Sequence, residues 1–151
     1  MSKKLREDKH IPFFDLISPS QLFEKLKADL VTLEETHESQ AAFNFFVTAE
    51  HLPDWLRLRH LVKQNAALRV VSDIASGAKH FLIDSDRHKS VRAAEKDEYF
   101  AEDYVENGYV APELVIHLED FERESLQLPL PQISAVELGK MVVDFWQSHI
   151  K

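Results

Sequence analysis

The chain has 151 residues, a formal net charge of −8 and no cysteine. That length suits one domain, which buries roughly 70% of its unfolded surface without metal or disulfide staples. The composition excludes disulfides, thiolate zinc sites and a cysteine nucleophile. The acidic balance disfavours unspecific binding to duplex nucleic acid, which depends on Lys and Arg neutralising phosphates.

Apolar residues make up 44% of the chain, with ten Phe and two Trp, the composition of a globular protein. Glycine occurs three times, as Gly77, Gly108 and Gly139, too sparsely for a P-loop or a dinucleotide fingerprint. The basic start "MSKKLREDKHIPFF" leads into no apolar stretch of signal-peptide length, and no run of eighteen apolar residues occurs. A cytoplasmic protein without a membrane span or a cofactor is expected.

Residues 1–17 are expected to be a flexible N-terminal arm, and 18–151 a single helical-bundle domain. "ISPSQ" opens the first helix, over about 18–38. Ser18 can cap, Pro19 suits the first helical position and Gln21 completes a capping box. Leu22, Phe23, Leu26, Leu30 and Leu33 form its apolar stripe. "ESQAAFNFFVTAEHL" is a second helix, interrupted at Pro53, with a short helix or a kinked continuation at 54–63. The third runs over about 66–82 and is apolar on two adjacent lines. Gly77 inside it costs up to ~1 kcal/mol against alanine, which a close helix contact would explain.

Residues 84–110 are charged and read as an irregular surface excursion. "PELVIHLED" and "ESLQLPLP" alternate with period two on either side of "DFER", which predicts a β-hairpin, with Pro129 confining its second strand to an edge. "ISAVELGKMVVDFWQSHIK" closes the chain as a helix capped by Ser134 and Glu137. The expected fold is mainly α, about four helices in a bundle with a small β-hairpin inserted before the last.

Two polar lines cross this apolar pattern. Arg69, Asp73, Ser76 and His80 run down the third helix. Asp73 and His80 there could be a catalytic acid–base pair and Arg69 an anion anchor, or the line could be a solvated seam. Asn44, Thr48 and His51 form a second line on the second helix, and the two lines facing one another would make a shared pocket or a structural hydrogen-bond network. The surplus of Phe43, Phe45, Phe46 and Trp55 suggests a homodimer interface. The basic cluster Arg57, Arg59 and Lys63 beside Trp55 could grip single-stranded nucleic acid or be a solvated face. No metal site is expected. HExxH spacing is missing, and Asp84, Asp86 and Glu95 fit a calcium loop poorly, with Lys89 where glycine belongs.

The strings "FNFFVTAEHLPDWL" and "SDIASGAKHF", with "FW" in the closing helix, resemble a family of short, uncharacterised bacterial and phage-type proteins, over about residues 40–82 and the last helix. The order of helices and the Lys79-His80 ending of the third also resemble the HEPN superfamily (higher eukaryotes and prokaryotes nucleotide-binding domains). That resemblance implies an all-α, commonly dimeric bundle from toxin–antitoxin and phage-defence systems. Active members are metal-independent ribonucleases with an Arg followed about four to six residues later by a His. This chain departs from that pattern. His80 lies far beyond Arg69, Arg57 and Arg59 crowd His60, and Arg6 and His10 belong to the arm.

The function expected is a non-catalytic interaction or nucleotide-sensing module, accessory to a defence or mobile-element system and open to a protein partner, a nucleotide or RNA. Asn44, Thr48, His51, Arg69, Ser76 and Lys79 are its candidate binding residues. A ribonuclease is the alternative, with His80 as general base or acid, Asp73 orienting it, and Arg69 or Lys79 on the phosphate. A purely structural subunit is the third reading.

Overall fold

The structure, a computed structural model, describes residues 13–81, 89–97 and 113–150. It is mainly helical with one small antiparallel sheet. The helices are α1 (Pro19–Thr36), α2 (Ser39–Trp55), a 3-10 helix (Arg59–Gln64), α3 (Ala66–His80), the short α4 (Asp120–Ser125) and α5 (Ala135–Gln147). The strands are β1 (Val91–Asp97), β2 (Glu113–Leu118) and β3 (Gln132–Ser134), with β2 in the centre.

Local sequence sets the helix ends. Ser18 Oγ accepts from the Gln21 backbone N–H at 3.2 Å, and Gln21 Oε1 accepts from Ser18 N–H in return. The same Oε1 accepts from Ile17 N–H at 2.6 Å, so the capping box also fixes the chain that enters the helix. Just before it, Leu16 N–H donates to the Phe13 carbonyl and closes a tight turn. All five residues of the predicted α1 stripe are buried. Asn65 Oδ1 caps α3, and Ser134 Oγ caps α5.

Pro53 does not interrupt α2. It lies buried inside the last turn, where a missing N–H costs one hydrogen bond near an end that frays anyway. The chain turns at Arg57, with positive φ, and then forms the 3-10 helix rather than a continued α-helix.

Two expectations about strands are corrected. Part of the 84–110 stretch is ordered as β1, which pairs antiparallel with β2 from Val91↔Leu118 to Asp97↔Glu113. "DFER" is not a hairpin turn but part of α4, and the leucines of "ESLQLPLP" are not a strand. Pro129 and Pro131 lack the N–H groups of a ladder. The Pro131 carbonyl takes the Leu118 N–H, and pairing with β2 runs over Gln132–Ser134.

The core joins α1, α2, α3 and α5 to the inner face of the sheet, with Leu26, Phe45, Leu52, Val70, Leu138 and Trp146 fully buried. A close helix approach is found at Gly139. A Cβ there would lie 2.7 Å from Leu30 Cδ1 and 3.2 Å from Phe45 Cζ. Gly77 lines a groove between α2, α3 and the sheet. Among the described residues, no helix is long and apolar enough to cross a membrane.

Candidate ligand-binding cleft

The polar line of α3 separates into two parts. Its first half is consumed inside the protein. Arg69 Nε and Nη2 donate to the two oxygens of Glu122, at 2.9 and 2.6 Å. Nη1 donates to the Lys63 carbonyl. Glu122 is fully buried, so the anion that Arg69 anchors is the chain's own carboxylate. This hydrogen bond to Glu122 raises the Arg69 pKa from its ordinary value, against the opposing effect of burial. Ser90 joins the two acids: its Oγ donates to Glu122 Oε2 at 2.6 Å, and its N–H donates to Asp73 Oδ2 at 2.9 Å. Asp73 is buried, and Ser76 one turn further on is partly buried. These contacts tie α3 to α4 and to the start of β1.

The second half is exposed. Lys79 and His80 stand in the last turn of α3, where positive charge complements the negative end of the helix dipole. Asp73 and His80 are two turns apart, about 10 Å of helix rise. The expected acid–base pair is therefore not assembled within α3.

The line on α2 does not face this cluster either, and the shared pocket expected between the two lines is corrected. Thr48 points at α1: its hydroxyl lies 2.8 Å from Asp29 Oδ2 and accepts from Lys25 Nζ at 3.0 Å. Lys25 also bonds Asp29 at 2.6 Å. A polar link between α2 and α3 is made by Glu50, which accepts from Ser72 and also from Arg59 of the 3-10 helix. Phe45 and Phe46 fill the chain's own core rather than an interface between copies, while Phe43 is half exposed.

Asn44, Thr48 and His51 do come together, on the wall of a cleft of about 380 Å³ between α1 and α2. Phe13 and Leu16, from the turn that precedes the capping box, also line it. Leu22, Phe43, Val47 and Trp55 supply apolar surface, and Lys25 also lines it. Asn44 and His51 are exposed, and their side chains make no hydrogen bond within the described residues. A concave apolar site with a few convergent polar groups is the usual form of a ligand pocket. Lys25 and Phe13 were missed in the sequence. The capping box was the available signal, since it implies a fixed approach of the arm to α1.

Of the basic cluster, Arg57 and Lys63 are exposed, whereas Arg59 is used locally. Arg59 donates to Asp54 through Nε and Nη2 and to Glu50 through Nη1, which leaves little of its guanidinium for a phosphate. The hydrogen bond from Arg59 holds the Asp54 carboxyl below its ordinary value, against a smaller opposing effect of burial and with help from the charges of Arg59 and His51. Among the described residues no three His, Asp or Glu are grouped to hold a metal ion. Asp84 and Asp86 of the calcium-loop reading lie outside the described residues, while Glu95 stands on β1 and meets His117 at 2.7 Å.

No family model matches the chain, and neither a curated protein nor a solved structure does.

Proposed function

We propose that the protein is a non-catalytic sensing module and that the cleft between α1 and α2 is its recognition surface. The observation that carries this reading is the fate of the two polar lines. The α3 line is spent on an internal ion pair and an exposed helix end, whereas Asn44, Thr48 and His51 converge with Lys25 on an apolar cleft. A nucleotide is one ligand that such a cleft suits, with aromatic side chains for a base and an ammonium for a phosphate. Four long helices without the Arg–His spacing accord with a non-catalytic relative of the HEPN proteins that the sequence resembles. A place beside a defence or mobile-element system rests on that resemblance.

The test is an amide-shift titration of the full chain with nucleoside monophosphates, aromatic carboxylates and their uncharged counterparts. The reading expects shifts grouped on residues 22–25 and 43–55 that vanish in the cleft-filling variant Val47→Trp. Absence of shifts there for the whole panel, or equal shifts in Val47→Trp, overturns it.

A further inference from the structure

The charge of the cleft wall narrows what it can hold. Lys25 is the cation in that wall, and among the described residues no carboxylate lines it. Asp29, the acid bonded to Lys25, does not line the cleft. The Lys25 side chain is 41% exposed and that of Asp29 18%. Lys25 is thus the more exposed member of the pair and the one that lines the cleft.

The ammonium is also able to change partners. The Thr48 hydroxyl lies 2.8 Å from both Asp29 Oδ2 and the Asn44 carbonyl, so a move of Lys25 toward a ligand leaves Asp29 a donor within reach. Lys25 has three donors on a flexible stem and tolerates such a move. Most of the rest of the wall is apolar, and Phe13, Phe43 and Trp55 make it strongly aromatic. Aromatic faces favour a flat ring over a branched aliphatic body. Asn44 and His51 add groups whose side chains make no hydrogen bond within the described residues.

We infer that the cleft takes a planar aromatic ring carrying one anionic group, the ring against Phe43 and Trp55 and the anion on Lys25. This rests on the cleft being the recognition surface. The anion can belong to a nucleoside monophosphate or to an aromatic carboxylate, which share this chemistry.

Trp55 lines the cleft and Trp146 is fully buried, so ligand-dependent change in tryptophan emission reports on Trp55. The experiment titrates the full chain with two matched pairs, adenosine monophosphate against adenosine and phenylacetate against phenylacetamide. Inorganic phosphate and acetate serve as ring-free anions. Each charged member is expected to bind more tightly than its neutral partner. Lys25→Met should erase the difference, a loss of about tenfold or more, as for one charged hydrogen bond. Lys25→Arg should restore most of it. The better of the two charged members identifies the source of the anion. Equal binding within each pair, with wild-type affinity in Lys25→Met, overturns the anion assignment and leaves the cleft reading standing. Tighter binding of the ring-free anions overturns the ring assignment. No binding of any probe overturns this inference and the cleft reading together.

Discussion

The guanidinium of Arg69 closes on the carboxylate of Glu122 through two hydrogen bonds, at 2.9 and 2.6 Å, from 53 positions earlier in the chain. Glu122 has no exposure to solvent, and Ser90 Oγ supplies a further donor to it. A buried carboxylate survives in the folded state when its lone pairs are met in this way. Removing one partner strands the other. Arg69→Met is therefore expected to cost about 3–5 kcal/mol, read as a drop in the urea midpoint. Replacing both members, as Arg69→Met with Glu122→Leu, should recover a large part of that loss. A single variant as stable as wild type would show that the pair does not hold α4 in place.

Asp73 and His80 should separate in the same assay. Asp73 is buried and accepts the Ser90 backbone N–H, so Asp73→Ala should cost about 1–3 kcal/mol by orphaning a buried donor. His80 is exposed on the final turn of α3, and His80→Ala should stay within about 0.5 kcal/mol of wild type. Equal losses in the two variants would contradict the division of the α3 line into a structural half and an exposed half.

Gly139 offers a packing test. A side chain there meets Leu30 and Phe45 below normal contact distance, with both neighbours in the core. Gly139→Val should cost about 1–3 kcal/mol through overpacking. An unchanged melting temperature would mean that α5 has room to move away from α1.

The Asp54–Arg59 pair gives a pH prediction. The folded-state pKa of Asp54 is held below its ordinary value of 3.8, chiefly by the hydrogen bond from Arg59. A depressed carboxyl contributes stability that is fully present above the unfolded value and is lost as pH falls through the folded one. Wild type should therefore lose stability below about pH 4, and Asp54→Asn should lose less over the same interval. Because Asp54 is exposed, the difference is small, within about 1 kcal/mol. Parallel acid-unfolding curves for the two proteins would argue against the pairing.

Much of the helical fold is legible in the sequence because its signals are local. Ser18 with Gln21, Asn65, and Ser134 with Glu137 sit within one turn of the groups they cap, and the α1 stripe needs nothing beyond helical spacing. The sheet is not legible in the same way. The alternation of "ESLQLPLP" matches a strand, but Pro129 and Pro131 remove ladder donors, and Glu122 is drawn inward by an arginine far away in the chain. No local pattern distinguishes a buried Glu122 from a surface glutamate. The cleft was half legible. Asn44, Thr48 and His51 share one helix face by spacing alone, whereas their partners on α1 and the arm depend on how α1 packs against α2.

The central claim, that this is a recognition module and not a ribonuclease, is tested most directly by RNA cleavage with chelator present, comparing wild type with His80→Ala. Negligible cleavage by both proteins is the predicted result. Metal-independent cleavage by wild type that is lost in a folded His80→Ala would contradict it and make the end of α3 an active site.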